Sequence, residues 1–290
     1  MDKCKMCPRN CGADRSRQKG VCGAGENIKV AKIMLHKWEE PCISLGKGSG
    51  AIFFSFCPLK CIFCQNYEIS QLGAGKDISV AKLVEWFKKL EEMGAENINL
   101  VSPTQYSYQI IEALQMYKPK IPVVWNTNSY EKPEVIGKLY GLVDIFLADL
   151  KYYGENIALE FSKVGDYFDI ASKAILEMRK VVGVDEFDGE KMTRGIIVRH
   201  LVLPGGVEDS KLVLDWIKNN LGVNTIVSIM NQYVPCYEAK NHKLLGRKVT
   251  TREYRAVCDY AINLGFCNGY FQSNESASEC FIPDFTKFFD

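Results

Sequence analysis

Residues 53–67 read FFSFCPLKCIFCQNY: a β-rich apolar run, Ala51–Phe56, that turns directly into Cys57, Cys61 and Cys64. Three thiolates this close in sequence can meet on one inorganic centre, and they leave a fourth ligand position unfilled. Structural zinc takes four closed ligands, usually from paired Cys or His motifs. The histidines, His36, His200 and His242, all lie away from this loop in the sequence. A [4Fe–4S] cluster on three protein thiolates instead keeps one iron open to a substrate or cofactor. The competing reading is a zinc loop that only staples the chain.

Beyond this loop the apolar, β-rich runs continue at Ile98–Val101, Val123–Trp125, Val143–Leu147, Gly195–Leu203 and Thr225–Ile229. Their continuous character (IFF, VVW, IFL, IIV) predicts strands covered on both faces, as in a parallel sheet. Helical patterns follow each of them. Val80, Leu83, Val84, Phe87 and Leu90 repeat at helical spacing before Gly94. Ile110, Ile111 and Leu114 predict a helix that ends before Pro119, and Pro133 to Leu139 a short one. A fourth lies within Ala158 to Val181. A fifth contains Leu212 to Ile217, with Asp209 or Ser210 as cap and Gly222 as terminator, and a sixth runs from Tyr254 to Leu264. Strand and helix alternating in this way predict βα units with right-handed crossovers. Six units leave a partial (β/α)6 barrel or an open doubly wound sheet, and in either the ligands gather at the C-terminal strand ends.

The cysteine loop resembles the CxxxCxxC signature of the radical S-adenosylmethionine (SAM) superfamily. The chain is most similar to the pyruvate formate-lyase-activating-enzyme-like branch with an extra cysteine-rich N-terminus. CKMCPRNCG, FCPLKCIFCQNYEIS, INLVSPTQY, VVWNTNSYE, VDIFLADLKYY, VRHLVLPGG and SIMNQYVP fall in the expected order. The resemblance implies an α/β fold, a partial (β/α)6 TIM-like barrel of the radical SAM type with a small cysteine-rich N-terminal extension. It also implies a [4Fe–4S] cluster on Cys57, Cys61 and Cys64, SAM as cofactor, and hydrogen abstraction by a 5′-deoxyadenosyl radical under anaerobic conditions. The implied partners are a low-potential electron donor such as flavodoxin or ferredoxin and, as substrate, a glycyl radical enzyme. Another peptide, RNA or a small molecule is the alternative substrate.

Carried over position by position, the resemblance puts Phe63 against the adenine. The Gly-Gly-Glu type motif of relatives is replaced here by Val101-Ser102-Pro103-Thr104, so Ser102 or Thr104 would take over contacts to the SAM amino group. Asn126 would face the ribose. Lys151, in Asp149-Leu150-Lys151, would pair with the SAM carboxylate, and His200 ranks above Arg199 for the same anion.

Upstream, Cys4, Cys7, Cys11 and Cys22 supply four thiolates, enough to close a second site holding zinc or an iron–sulfur cluster. A closed site cannot itself bind substrate, which favours zinc or a structural role. Cys42, Cys236, Cys258, Cys267 and Cys280 read as structural. The predicted organisation is a cysteine-rich segment over residues 1–46, a core barrel over 47–272 and a C-terminal tail over 273–290.

The 290 residues carry 36 Lys plus Arg against 35 Asp plus Glu, a net charge of +1. That gives no electrostatic case for nucleic acid or an anionic membrane. It also argues against the non-enzymatic alternative, a metal-stapled binding module. No apolar run approaches the roughly 20 residues of a membrane span, and the opening residues are charged. The expectation is a cytoplasmic protein, where 12 clustered and scattered cysteines point to metal or catalysis rather than to disulfides.

Overall fold

The computed structural model describes residues 3–272, 276–278 and 283–289; Cys280 lies outside them. In chain order the strands are β1 (Ile28–His36), β2 (Ser49–Phe54), β3 (Lys76–Ile78), β4 (Ile98–Val101), β5 (Val123–Thr127), β6 (Ile145–Asp149), β7 (Glu186–Asp188), β8 (Lys191–Leu201), β9 (Ile226–Met230) and β10 (Gly269–Phe271). The α-helices are α1 (Tyr67–Ser70), α2 (Val80–Glu92), α3 (Ser107–Met116), α4 (Pro133–Ile136), α5 (Glu155–Ser162), α6 (Tyr167–Val182), α7 (Val207–Leu221) and α8 (Thr251–Leu264).

Each of the six apolar runs becomes a strand, and together they form the parallel body of one sheet in the order β10-β9-β8-β6-β5-β4-β2-β1-β3. β1 pairs antiparallel with β2, and β3 antiparallel with β1. β7 forms a hairpin with β8. The end strands β10 and β3 do not pair, so the sheet is a partial barrel and not a closed one. β2, β4, β5 and β9 are buried at every position. That is why their sequences show apolar runs instead of alternation.

Two cores follow from the two faces. Outside, helices lay apolar stripes on the sheet, as α2 does with Leu83, Val84, Phe87 and Leu90. Inside, Val124, Ile145, Leu147, Ile197 and Ile226 make an apolar floor with Cys42 and Ile43. The last two come from the segment after β1, which runs across the N-terminal ends of the parallel strands. Met192 N donates to Cys42 O at 2.9 Å, and Asn97 Nδ2 donates to Ile43 O at 2.9 Å.

Three local expectations change. The fourth helix is two, α5 and α6, because Lys163 adopts a left-handed conformation (φ +60°) that ends the first. The cap of α7 is Gly206, and Asp209 and Ser210 lie inside its first turn. The Asp209 carboxylate there accepts from the Tyr153 and Gly154 amides at 3.1 and 2.7 Å. β1 was not foreseen as a strand of this sheet. No helix among the described residues is long and apolar enough to cross a membrane.

Candidate active site

β2 ends at Phe54, and the chain then bends sharply. Phe56 takes φ +71°, a strained choice for an aromatic residue. Its ring is locked between two glycines: a Cβ on Gly23 or Gly73 would come within 2.5 or 2.3 Å of it. Gln105 secures the bend by donating through Nε2 to the carbonyls of Ser55, Phe56 and Ser102 at 2.9, 3.0 and 2.8 Å. Ile62 N bonds Phe161 O at 2.9 Å, fastening the far side of the loop to the end of α5.

So held, Cys57, Cys61 and Cys64 line one wall of a cavity of about 660 Å³ at the C-terminal ends of the parallel strands. Each sulfur has its own polar partner. Asn128 Nδ2 donates to Cys57 Sγ at 3.3 Å. Ser162 Oγ lies 2.9 Å from Cys61 Sγ, and Ser70 Oγ lies 3.1 Å from Cys64 Sγ. Burial pushes all three thiols up, Cys61 to about 11 against the pull of Lys151. Bound iron reverses that balance, since a coordinating thiol is deprotonated outright. Among the described residues no three Cys, His, Asp or Glu side chains are drawn onto a single point. A four-iron cube takes one thiolate per iron, so a wall of separate sulfurs, each with a hydrogen-bond donor, fits it.

Between this wall and the apolar floor lies an ionic layer. Arg199 donates from Nε to Asp149 Oδ1 at 2.9 Å and from a terminal nitrogen to Asn126 Oδ1 at 2.6 Å. It also stands 3.7 Å from Glu39 Oε2. Lys151 Nζ donates to Asp149 Oδ2 at 2.7 Å. Asn99 Nδ2 donates to Glu39 Oε1 at 2.8 Å. Burial alone would raise the Asp149 carboxyl; the two cations outweigh it and hold the group below its ordinary value. Burial pushes Glu40 up, and its Oε2 finds no hydrogen-bond partner among the described residues.

Of the residues expected to contact SAM, Phe63, Ser102, Asn126 and Lys151 line the cavity. Phe63 packs edge-on to Tyr152 and tilted against Tyr233. Ser102 sits at the end of β4 with φ +57°. Two residues are placed elsewhere. Thr104 is buried in a turn, bonded to Glu131 Oε1 at 3.0 Å. His200 is buried on the helix side of β8, its Nδ1 2.8 Å from Leu150 O and its Nε2 2.8 Å from Ser210 Oγ. Successive strand residues face opposite sides of a sheet, so the ranking of His200 over Arg199 inverts: Arg199 faces the lumen and His200 cannot. Glu39 and Glu40 were missed. They come from the segment that floors the barrel, and two adjacent acids outside any periodic run look like ordinary surface charge.

Cys4, Cys7, Cys11 and Cys22 do not line the cavity. Their segment packs behind the cysteine loop, where Arg9 Nε donates to Pro58 O at 2.8 Å and Lys60 Nζ to Cys22 O at 3.2 Å.

A family model described as the radical SAM superfamily matches residues 51–217. An uncharacterized protein of Methanocaldococcus jannaschii is 32% identical over 271 residues, covering 89% of this chain and 74% of that protein. Among solved structures, Streptococcus suis SuiB bound to precursor peptide SuiA has a TM-score of 0.54 at 15% identity, over 74% of this chain and 46% of that one. SuiB bound to S-adenosylmethionine gives 0.53 at 16%, over 75% and 48%. This chain therefore spans about half the length of those solved proteins, and at such identities the likeness concerns fold alone. Family match, relative and cysteine wall agree: this chain belongs to the radical SAM superfamily, whose members use a [4Fe–4S] cluster and SAM.

Proposed function

We propose that Cys57, Cys61 and Cys64 hold the cluster, and that the ionic layer beside them receives SAM for reductive cleavage and hydrogen abstraction. The observation that carries this is the wall of three sulfurs, each with its own donor, opening on the same cavity as Lys151 and Arg199. When bound, the cluster, reduced by a low-potential donor such as flavodoxin or ferredoxin, supplies the electron that splits SAM into methionine and a 5′-deoxyadenosyl radical.

The chain's own residues bind, orient and exclude. Ser162, Ser70 and Asn128 donate to the sulfurs, which stabilises the thiolates and tunes the centre. Lys151 and Arg199 offer cationic donors to a carboxylate, and Asp149 fixes both. Asn126 and Phe63 present an amide and an aromatic ring for the nucleoside, and Ser102 stands in for the Gly-Gly-Glu contact to the amino group. The apolar floor closes the lumen from below and keeps water from the radical.

The hydrogen donor in this reading is a glycine of a glycyl radical enzyme, as in the branch this chain resembles. The unclosed side of the barrel gives a peptide a way in, and SuiB, similar in fold, is solved with its precursor peptide. Radical modification of another peptide is the second reading.

The test is anaerobic reconstitution with iron and sulfide, reduction with dithionite, and quantification of 5′-deoxyadenosine. Wild-type protein should form it, and Cys61→Ala should form none above background. Undiminished cleavage by that variant would sink the assignment. A candidate partner deuterated at the glycine Cα should pass label into 5′-deoxyadenosine.

A further inference from the structure

The N-terminal cysteines take no part in the reading above, yet their surroundings are built around sulfur. Cys4, Cys7 and Cys11 lie on a tight hairpin: Cys4 N bonds Ala13 O at 3.0 Å, Gly12 N bonds Cys4 O at 3.0 Å, and Asn10 N bonds Cys7 O at 3.1 Å. A second turn presents Cys22, closed by Gly20 N to Ala24 O at 2.9 Å and Gly23 N to Gly20 O at 2.8 Å.

Backbone amides are aimed at the sulfurs. Ala24 N donates to Cys22 Sγ at 3.4 Å. The amide of Arg9 bonds the Cys7 sulfur, and those of Ala13 and Val21 bond the Cys11 sulfur. In three of the four cases the donor is the residue two ahead. N–H groups directed at sulfur favour thiolate over thiol, which a buried structural cysteine does not need.

The sulfurs are also gathered. The Cys4 and Cys11 side chains are bonded to each other. A Cβ on Gly20 would stand 3.5 Å from both Cys11 Sγ and Cys22 Sγ, so a residue without a side chain makes room between those two. Among the described residues the four are gathered without being drawn onto one point.

We infer that Cys4, Cys7, Cys11 and Cys22 bind one divalent ion of the zinc class as a closed tetrathiolate. Four soft donors leave no position for substrate, which makes the ion structural. Direct contact between Cys4 and Cys11 matches two ligands on one tetrahedral ion, roughly 3.8 Å apart for a metal–sulfur bond of about 2.3 Å. Two corners of an iron–sulfur cube stand farther apart. On binding, thiols still protonated release their protons to solvent. The ion stiffens the segment that backs the cysteine loop through Arg9, Lys60 and the Gly23–Phe56 contact.

The test uses the full chain carrying Cys57→Ala, Cys61→Ala and Cys64→Ala together, so that its outcome does not depend on the SAM reading. Titrated anaerobically with Co²⁺, this protein should bind one ion per chain, with thiolate-to-cobalt charge-transfer and tetrahedral d–d bands that Zn²⁺ abolishes. Adding Cys22→Ser should weaken cobalt binding more than about tenfold, since even outer-shell losses cost that much. Independently of any further substitution, Zn²⁺ should protect four thiols of the triple variant from an alkylating reagent. Absence of stoichiometric cobalt, equal thiol reactivity with and without zinc, or retention of iron with sulfide in the triple variant would each overturn the inference.

Discussion

The two cysteine sets draw their polar partners from different distances. In the N-terminal set the donors are backbone amides, mostly two residues ahead, as Ala24 is to Cys22. In the loop set they are side chains. Ser162 is 101 residues from Cys61 and Asn128 is 71 residues from Cys57, and only Ser70 is local. A site with local amide donors needs little more than its own turns and an ion. One with distant hydroxyl and amide donors exists only after the barrel has folded, and each donor can be altered without unmaking the loop.

The largest effect that would sharpen this contrast is Arg199→Met. It leaves the buried Asp149 and Glu39 carboxylates without their shared cation, a loss of about 3–5 kcal/mol, readable in urea denaturation. SAM binding should fall with it while N-terminal cobalt binding stays unchanged. Loss of both would break the separation. Gly23→Ala comes next. Gly23 has φ +101°, and a Cβ would sit 2.5 Å from the Phe56 ring. The expected cost is about 1–3 kcal/mol, and because this contact joins the two regions, both metal contents should drop.

Ser162→Ala strips one donor from Cys61 and leaves the Tyr152 hydroxyl, 2.9 Å away, unpaired. It should cost about 1–2 kcal/mol and shift the cluster potential in an EPR-monitored redox titration, with the N-terminal set untouched. The smallest effect is Glu131→Gln. Oε1 of this enclosed residue accepts from Thr104, Trp125 and Thr127 at 3.0, 2.9 and 2.7 Å, beside the turn that carries Asn128. Burial raises its carboxyl above the ordinary 4.5 despite those donors. A raised folded value means that its contribution to stability is complete below 4.5 and declines as pH rises through that value. Glutamine keeps the acceptor without the charge. The variant should be at least as stable near neutrality, by less than about 1 kcal/mol, and the gap should narrow on acidification. A gap that widens on acidification would show that Glu131 is stabilised as a carboxylate.

Much of the architecture was legible because its signals are local. Val80, Leu83, Val84, Phe87 and Leu90 announce α2 by spacing alone, and the continuous apolar runs announce strands buried on both faces. The same continuity hid the inward face. Where every strand position is buried, alternation cannot tell Arg199 from His200, and the two were ranked in the wrong order. Ser102 and Thr104 divide similarly, one at the strand end facing the cavity and one folded back onto Glu131. α5 and α6 read as one helix because Lys163 carries no sign that it turns left-handed.

From the amino-acid order alone came the alternation of strand and helix, the three cysteines placed after the first parallel strand, and four more sulfurs gathered upstream, because periodicity and short spacings are properties of neighbours along a chain. The ionic layer belongs to the folded state. Glu39, Asn99, Asn126, Asp149 and Arg199 come from different strands and from the segment that floors the barrel. Buried charges are tolerable only when paired, and their pairing is settled by which faces meet when the sheet curls.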